Sequence, residues 1–576
     1  MKRILGCFKE YKVQTVLAPL FKFAEAALDL LVPLVIAAII DRGIAHGNTG
    51  FILSRGGLLV LFAAVGLALA LTAQYFSAKA AIGVATTLRA RLFDKIQRLS
   101  YARLDGVGAS ALITRLTSDV ATLQTGINLA LRLLLRSPFV VFGAMAVAFT
   151  IDKRCALIFA EVIAVLLVIV FFILLVSIPR HTLVAHELEG VTGAARENLS
   201  GVRVIRAFLM EEEEKCEFER RSERLKALSL AVGRISALLN PATLIAVNIA
   251  VIALIWSGAV RVNIGSLTQG QVVALYNLLS QILVELVKMA NFMITAARAA
   301  ASAKRIAGVL EMDEGEKGGS IVPDENAPQG EVEFKNVGFE YENAGAPSLF
   351  DISFRAKPGQ TVGIIGGTGS GKSTLSYLVS GFFFPTSGEI FIDGVNIREM
   401  DSEALRSRIS VVPQKAVLTE GTIRSNLLMG DLEADEARLI SALKTAQAYD
   451  FVAEREAGLD EHVSRGGSNF SGGQKQRLSI ARALVKKSEI LILDDSASAL
   501  DYATDARLRN ALKNTEEKRT TFIISQRAAS IMHADLIIVL DEGRTVGMGR
   551  HEELLSCCPI YREIYDMQTG MEAKRA

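Results

Sequence analysis

Long apolar stretches alternate with charged connections through the first half of the chain. Each stretch reaches the length of about 20 residues that a helix needs to cross the hydrocarbon core of a bilayer. The six stretches cover residues 14–40, 54–82, 130–150, 155–178, 236–261 and 271–297. Only Ile151-Asp152-Lys153-Arg154 separates the third stretch from the fourth. The pattern therefore predicts an all-α transmembrane domain of six long helices at 1–310, with the third and fourth helices forming a hairpin.

The distribution of Lys and Arg predicts the orientation of these helices. Lys2, Arg3, Lys9 and Lys12 precede the first span, whereas the link at 41–53 contains only Arg42. Six basic residues follow the second span, namely Arg89, Arg91, Lys95, Arg98, Arg103 and Arg115. Since basic residues favour the cytosolic side, the N-terminus and the long connections are expected in the cytosol. Apolar residues at helical spacing in 83–128 and 185–235 predict that the helices continue beyond the membrane.

The pattern changes after a linker at 311–330 that is rich in acidic residues, Gly and Pro. Short β-branched runs then stand between Gly-rich turns, with helical stretches between several of them, as in α/β domains. The predicted strands are 332–339, 361–365, 390–392, 409–412, 490–493, 521–524 and 536–540. We therefore predict an α/β domain at 331–576.

Composition supports a membrane protein and argues against some partners. Hydrophobic residues make up 51% of the 576 residues, which is more than an average soluble protein contains. A net charge of only +2 argues against a nucleic-acid partner. The five cysteines show no metal-ligand spacing, so reduced thiols are expected.

Several charged residues fall inside the predicted spans, where they are costly unless they face a bundle interior or a wet cavity. They are Lys22, Glu25 and Asp29 in the first span, Glu161 in the fourth, and Glu285 and Lys288 in the sixth. One interpretation is a cavity lined by Asp29, Glu161 and Glu285 that attracts a cationic or amphipathic substrate. The other is local ion pairing of Lys22 with Glu25 and of Glu285 with Lys288.

A phosphate-binding motif opens the second domain. Residues Gly366, Gly367, Thr368, Gly369, Ser370, Gly371, Lys372 and Ser373, followed by Thr374, fit GxxxxGK[ST] between a strand and a helix. Glycines let backbone N–H groups close around phosphates, Lys372 reaches the outer phosphates, and the Ser373 hydroxyl is a ligand for Mg²⁺. The apolar run Ile490–Leu493 ends in Asp494, a second candidate for the metal site. ATP and Mg²⁺ are therefore the expected ligands.

With Ser471-Gly472-Gly473-Gln474 between these motifs, the chain resembles the ATP-binding cassette exporters, in which six membrane helices are fused to one nucleotide-binding domain. The resemblance covers nearly the whole chain, and it also includes Tyr341, Gln414 and Ser498-Ala499-Leu500-Asp501. It implies that Tyr341 stacks on adenine and that Gln414 contributes to the Mg²⁺ site.

The resemblance also implies a dimer of two cassettes. Ser471, Gly472, Gly473 and Gln474 would then close on ATP held by the other chain, and Asp501 would lie across the interface. Bends in the cytosolic helices near 106–111 and 195–203 would dock onto the cassettes.

The chain departs from the family pattern at the two positions of its chemistry. Asp495 stands where competent members have Glu, and Gln526 stands where they have His. A shorter carboxylate is less able to reach the attacking water, and an uncharged amide stabilises developing phosphoryl charge less well. We therefore expect this ATP site to bind ATP and to hydrolyse it slowly.

The resulting hypothesis is one subunit of a heterodimeric exporter in a prokaryotic cytoplasmic membrane. A homologous half-transporter would supply the competent site, and the substrate would be hydrophobic or amphipathic. The alternatives are a homodimeric exporter with slow hydrolysis, an ATP-switched membrane receptor or regulator, and a channel-like gate. Fold alone does not identify the substrate.

Overall fold

A computed structural model describes residues 2–315, 318–323, 329–342, 344–496, 499–515 and 518–570. The chain divides into two compact units. The first unit contains residues 2–98 together with 108–312, and the second contains residues 99–107 together with the described residues from 313 onward.

Helices account for nearly all of the first half of the chain. They are α1 Lys2–Leu5, α2 Lys12–Ala38, α3 Thr49–Arg98, α4 Tyr101–Val107, α5 Ala109–Thr114, α6 Val120–Leu133, α7 Arg136–Ile151, α8 Lys153–Ala207, α9 Glu211–Ala237, α10 Leu239–Asn263 and α11 Gln269–Glu311. Among the described residues, six helical segments are long and apolar enough to cross a membrane. The prediction of six long membrane helices is therefore confirmed.

Individual helix boundaries differ from the predicted ones in informative ways. The hairpin turn shrinks to Asp152, whose side chain accepts hydrogen bonds from the N–H groups of Arg154 and Cys155, both at 2.9 Å. Such a cap satisfies donors that the first turn of α8 would otherwise leave unpaired.

Of the two predicted bends, only one occurs. A break falls at Gly108, whose φ of 78° ends the helical path between α4 and α5. The predicted bend at 195–203 is wrong, because α8 runs without interruption to Ala207. The turn follows at residues 208–210, where Leu209 has a φ of 56°.

The core of the first unit lies between α2, α7, α8, α10 and α11. Its fully buried side chains include Phe159, Leu254 and Leu278. Among these helices α11 is central, since it contacts α2, α7, α8 and α10. Polar groups on α11 are therefore held among several other helices.

The second unit is an α/β domain, as predicted. Its strands are β1 Val332–Phe339, β2 Leu349–Ala356, β3 Thr361–Gly366, β4 Ser387–Ile392, β5 Val395–Asn396, β6 Ile409–Val412, β7 Gly421–Thr422, β8 His462–Val463, β9 Ile490–Asp494, β10 Thr520–Ile524, β11 Leu536–Asp541 and β12 Arg544–Gly549. Its helices after α11 are α12 Lys372–Val379, α13 Ser402–Arg408, α14 Ile423–Leu428, α15 Glu436–Thr445, α16 Tyr449–Ala453, α17 Gly472–Val485, α18 Tyr502–Lys513, α19 Ala528–Ile531, α20 His551–Cys557 and α21 Pro559–Thr569.

Two sheets and a short strand pair make up this unit. The larger sheet has the order β12-β11-β3-β10-β9-β6 and is parallel except for the edge strand β12. The smaller sheet, β2-β1-β4-β5, is antiparallel. Because β3, β9 and β10 are parallel neighbours, the loops that follow them leave the sheet at one edge, where ligands of such folds bind.

The short helix α4 belongs to the second unit although it lies within the first half of the sequence. Its Tyr101 ring stacks on Phe382 with centroids 5.2 Å apart and meets Phe383 edge-on at 5.6 Å. Arg103 forms an ion pair with Glu342 at 3.0 Å. An aromatic cluster therefore holds this helix against the α/β domain.

Candidate nucleotide site

The glycine-rich loop of the phosphate-binding motif connects β3 to α12. Gly371 has a φ of 96°, and a Cβ at this position would lie 2.5 Å from Leu349 Cδ2. Only glycine suits such a conformation with so little space around it. The loop residues Thr368, Gly369 and Gly371 line a cavity of about 450 Å³ together with Lys372, Ser373 and Thr374. Backbone N–H groups at this helix N-terminus make the cavity suitable for phosphate.

Lys372 is buried beneath the loop. Its Nζ donates hydrogen bonds to the carbonyl oxygens of Gly366 at 2.9 Å and Gly367 at 2.6 Å. Burial lowers the pKa of Lys372, while Asp495 and Asp494 oppose that shift. The ammonium is thus held at the loop, where it can meet the outer phosphates of a nucleotide.

Carboxylates at the C-terminal end of β9 line the same cavity as this loop. Burial, followed by the proximity of Asp495, raises the pKa of Asp494 to about 6. Asp494, Gln414 and Ser373 all line the cavity and offer oxygen atoms. Oxygen donors are the ligands that Mg²⁺ prefers, so the residues present fit this cation.

Asp495 and Gln526 lie in this same cavity. Tertiary structure brings them together because β9 and β10 are adjacent parallel strands, with Asp494 opposite Ile524. The N–H of Asp495 donates to the carbonyl oxygen of Ile524 at 2.8 Å. Asp495 has a φ of 45°, a left-handed conformation that Asp tolerates better than most residues.

The surroundings of these two side chains define what they can do. Gln414 Nε2 lies 3.4 Å from Asp495 Oδ2, so the amide of Gln414 is one of the groups that meet this carboxylate. The Gln526 side chain is exposed, and its backbone carbonyl accepts a hydrogen bond from Gln568 at 2.7 Å. The position is thus fixed through the main chain, and the side chain offers the cavity an uncharged amide.

Tyr341 lies beside the phosphate loop. Its hydroxyl is 3.0 Å from the Thr374 hydroxyl, and its ring meets Phe339 and Phe383 edge-on. Burial raises the pKa of Tyr341 above its ordinary value. Stacking of this ring on adenine stays a prediction.

The Ser471–Gln474 segment lies apart from this cavity. Ser471 caps α17 through reciprocal hydrogen bonds with Gln474, at 3.0 and 3.3 Å. Ser471 and Gly472 are exposed, and none of Ser471, Gly472, Gly473 and Gln474 lines the cavity around Lys372.

Asp501 caps the N-terminus of α18. Its carboxylate accepts hydrogen bonds from the Thr504 N–H and hydroxyl, both at 2.8 Å, and these bonds lower the pKa of Asp501. The side chain therefore has a structural role within this chain, whether or not it also meets a second cassette. Ser498 lies outside the described residues.

Some cavity residues were not identified from the sequence. Pro347 and Ser348 precede β2, a strand that the sequence pattern did not predict, and Glu542 and Gly543 form the turn between β11 and β12. Glu542 and Gly543 both have positive φ, at 44° and 77°. The run Asp541-Glu542-Gly543 is a recognisable turn, but only the tertiary structure places it beside the phosphate loop.

The charged residues predicted inside the spans have separate positions in the first unit. Asp29 and Glu285 line one cavity formed by α2, α7 and α11, whereas Glu161 is exposed on α8 and does not line it. Both predicted local ion pairs are present, Lys22–Glu25 at 2.5 Å and Lys288–Glu285 at 2.9 Å. Arg136 on α7 was missed, although it binds Asp29 at 2.8 Å.

A helical membrane unit joined to an α/β unit with a phosphate loop defines a class of ATP-binding membrane proteins. Two family profiles match the chain, the ABC transporter transmembrane region at residues 15–286 and the ABC transporter domain at residues 349–498. The chain therefore belongs to the ABC transporters, an ATP-hydrolysing family.

Individual relatives match over nearly their full length. The uncharacterized ABC transporter ATP-binding protein YfiB of Bacillus subtilis (strain 168) is 32% identical over 100% of both chains. An ATP-dependent lipid A-core flippase of Bordetella avium (strain 197N) is 32% identical over 98% of this chain and 96% of its own. The structure of a bacterial Atm1-family ABC exporter with ATP bound shares this fold, with a TM-score of 0.82, 23% identity and coverage of 97% and 98%.

Proposed function

We propose that this chain is one subunit of a heterodimeric ABC exporter, with an ATP site that retains ATP and hydrolyses it slowly. The observation that supports this most is the pairing of a complete phosphate loop with Asp495 and Gln526 in a single cavity. Binding and hydrolysis use different groups, so a site can keep the first and lose the second.

Two chemical arguments support slow hydrolysis. A general base must reach the proton that it removes, and Asp495 is one methylene shorter than Glu. Gln526 cannot carry the positive charge that stabilises developing charge on a phosphoryl group. Loss of one such contact typically lowers turnover by about 10² to 10³.

Ser471–Gln474 supports a dimer with a partner's competent site. The segment is intact, helix-capped and at the surface, so it is free to close on ATP held by another cassette. Mg²⁺ would be held by Ser373, Gln414 and Asp494, and would supply positive charge to the phosphates.

Orientation and cargo complete the proposal. The protein would lie in the cytoplasmic membrane. The basic residues near Arg89–Arg115 support a cytosolic position for its N-terminus and its ATP-binding unit. The polar cavity among α2, α7 and α11 supports export of a hydrophobic or amphipathic substrate, a class to which the cargo named for the Bordetella flippase also belongs.

Purified protein tests the asymmetry. A neighbouring reading frame should encode a similar chain with Glu and His at the two positions and an altered Ser-Gly-Gly-Gln segment. We expect the co-purified pair to hydrolyse ATP at least about 10²-fold faster than this chain alone. Equal turnover by the chain alone would contradict the proposal and favour a homodimer.

Flux separates the exporter from a regulator without transport. In proteoliposomes containing the pair, ATP should drive a labelled amphiphile across the membrane. ATP binding and hydrolysis without any flux would favour the ATP-switched regulator, and ionic current under ATP would favour a gate.

A further inference from the structure

The cavity of the first unit has a volume of about 420 Å³. Ligand sites of proteins commonly fall in this range of size. One part of its wall is apolar and is formed by Val32, Pro33, Ile36, Val140 and Val284. The remainder is polar, so the cavity suits a molecule with an apolar part and a charged head group.

Six charged side chains on α2, α7 and α11 form one network in and beside this cavity. Arg136 approaches Asp29 at 2.8 Å, Glu285 at 3.6 Å and Glu25 at 3.8 Å. Lys22 pairs with Glu25, and Lys288 pairs with Glu285, which also accepts a hydrogen bond from Ser137 at 2.8 Å. Three cations and three carboxylates therefore balance, as expected for charges held away from water.

Exposure distinguishes two members of this network from the other four. The side chains of Arg136 and Glu285 are only 14% and 5% exposed, whereas Asp29 and Lys288 are 43% and 42% exposed. The buried members neutralise one another. One carboxylate and one ammonium therefore remain accessible to a ligand in the cavity.

Pro33 determines how a neutral residue of the cavity is oriented. Proline has no N–H, so the helix cannot satisfy the carbonyl four residues earlier, which is that of Asp29. Gln281 Nε2 on α11 donates to this carbonyl oxygen at 3.2 Å. This hydrogen bond orients the Gln281 amide, because its nitrogen is the donor to Asp29. The amide oxygen, Oε1, then remains as an acceptor.

Two buried polar atoms of the cavity have no hydrogen-bond partner among the described residues. They are the acceptor Gln281 Oε1 and the donor Arg136 Nε. Such atoms are costly to bury unless a ligand or water completes them. Both residues line the cavity, so an unpaired acceptor and an unpaired donor belong to the same wall as the exposed carboxylate and the exposed ammonium.

We propose that this cavity binds an amphiphile whose head group carries both a primary ammonium and an anionic phosphate or carboxylate. The ammonium would meet Asp29, and the anion would meet Lys288. A rotation of the Gln281 and Arg136 side chains would bring Gln281 Oε1 and Arg136 Nε to the same head group. The inference rests on the proposed function, since it names the class of substrate.

A head group with a single charge fits this site less well. It would displace water from both accessible charges while pairing with only one of them, and it would add net charge to a balanced network. A head group with both charges completes each contact and keeps the sum at zero.

Equilibrium binding to the nucleotide-free full chain in phosphatidylcholine nanodiscs tests the inference. The probes share a dodecyl tail and are dodecylphosphoethanolamine, dodecyl phosphate and dodecylammonium, with binding to empty nanodiscs subtracted. We expect dodecylphosphoethanolamine to bind about tenfold or more tighter than either probe whose charge is of one sign, because each charge-assisted contact is worth about that factor. Equal affinity for dodecylphosphoethanolamine and for either of these two probes would overturn the inference.

Two variants should change selectivity in opposite directions. Asp29→Asn should weaken binding of dodecylphosphoethanolamine and dodecylammonium about tenfold and should not weaken binding of dodecyl phosphate. Lys288→Gln should weaken binding of dodecylphosphoethanolamine and dodecyl phosphate and should not weaken binding of dodecylammonium. General damage would weaken all three probes, and such a uniform loss in both variants would contradict the assignment.

Lys215→Gln is the matched control, because Lys215 forms an exposed i,i+3 pair with Glu212 on α9, outside the cavity. It should leave all three affinities unchanged. Competition by two-chain phosphatidylethanolamine in the nanodisc indicates a membrane lipid as the source, and competition by single-chain amphiphiles alone indicates a cytoplasmic one. Selective binding without ATP-driven flux would contradict the exporter proposal and support the head-group inference. Flux without selective binding would support the exporter proposal and contradict the head-group inference.

Discussion

Asp495 and Gln526 are the two residues whose side chains, in the proposed function, decide between holding ATP and cleaving it. They follow adjacent strands and share one cavity with Lys372 and Asp494. Every other named contact in the cavity concerns binding, so replacing these two side chains should change the rate of hydrolysis with little effect on nucleotide affinity.

The double variant Asp495→Glu with Gln526→His should raise ATP turnover of the purified chain by about 10²-fold or more. The longer carboxylate can reach the attacking water, and the imidazole can carry charge. Steady-state phosphate release measures the effect. Adding Lys372→Ala should abolish the gain, and an unchanged rate in the double variant would show that neither substitution limits hydrolysis.

Tyr561 makes the second unit sensitive to alkali. The ring is fully buried, its hydroxyl lies 2.8 Å from His551 Nδ1, and burial raises the pKa of Tyr561 to about 12. The neutral phenol is therefore favoured in the folded state. Its contribution to stability is complete below the unfolded value of about 10 and is lost as pH rises through about 12.

Chemical denaturation between pH 9 and 12 measures this contribution. The free energy of unfolding should fall more steeply above about pH 10 in the wild-type protein than in Tyr561→Phe, which keeps the ring and removes the titrating hydroxyl. Parallel slopes would show that Tyr561 does not titrate with unfolding.

Whole elements are fixed by polar groups at their ends as much as by apolar faces. Asp41 follows α2 and accepts hydrogen bonds from the Thr268 hydroxyl at 2.5 Å and the Gly270 N–H at 2.8 Å. It thereby satisfies donors at the N-terminus of α11, the helix that contacts α2, α7, α8 and α10. A Cβ at Gly270 would meet the Ala37 carbonyl, so this contact also depends on glycine.

Asp41→Ala should destabilise the membrane unit by about 1–3 kcal/mol, because it leaves two donors unpaired. The midpoint of thermal unfolding in detergent measures the loss. Asp94→Ala removes an exposed i,i+4 partner of Arg98 and should cost less than about 0.5 kcal/mol. Equal midpoints for the two variants would show that the Asp41 contacts do not stabilise α11.

At the scale of the whole molecule, an asymmetric pair should retain nucleotide at one of its two sites. After incubation of the pair with labelled ATP and Mg²⁺ and rapid removal of free nucleotide, roughly one ATP per pair should remain intact. The partner's site should contain product or be empty. Retention of no intact ATP would contradict a site that holds ATP without cleaving it.

Much of this architecture could be predicted because its causes are local in sequence. Six apolar stretches were long enough to span a membrane, and β6, at Ile409–Val412, has the predicted bounds. The antiparallel strand β2 was missed because its exposed polar residues weaken the β-branched pattern on which the prediction relied. The prediction of a bend at 195–203 was wrong. The family resemblance implied a segment that contacts the cassette there, whereas the backbone turns only after Ala207.

The amino-acid sequence by itself determined the membrane helices, the phosphate loop and the two departures from the family pattern at Asp495 and Gln526, since spacing along the chain specifies each of these. Only the tertiary structure decided that α4 joins the α/β unit, that Arg136 is the partner of Asp29, and that Gln281 meets the carbonyl which Pro33 leaves unpaired. The last two contacts join residues more than 100 positions apart. Their formation depends on how helices pack, and no local pattern specifies that.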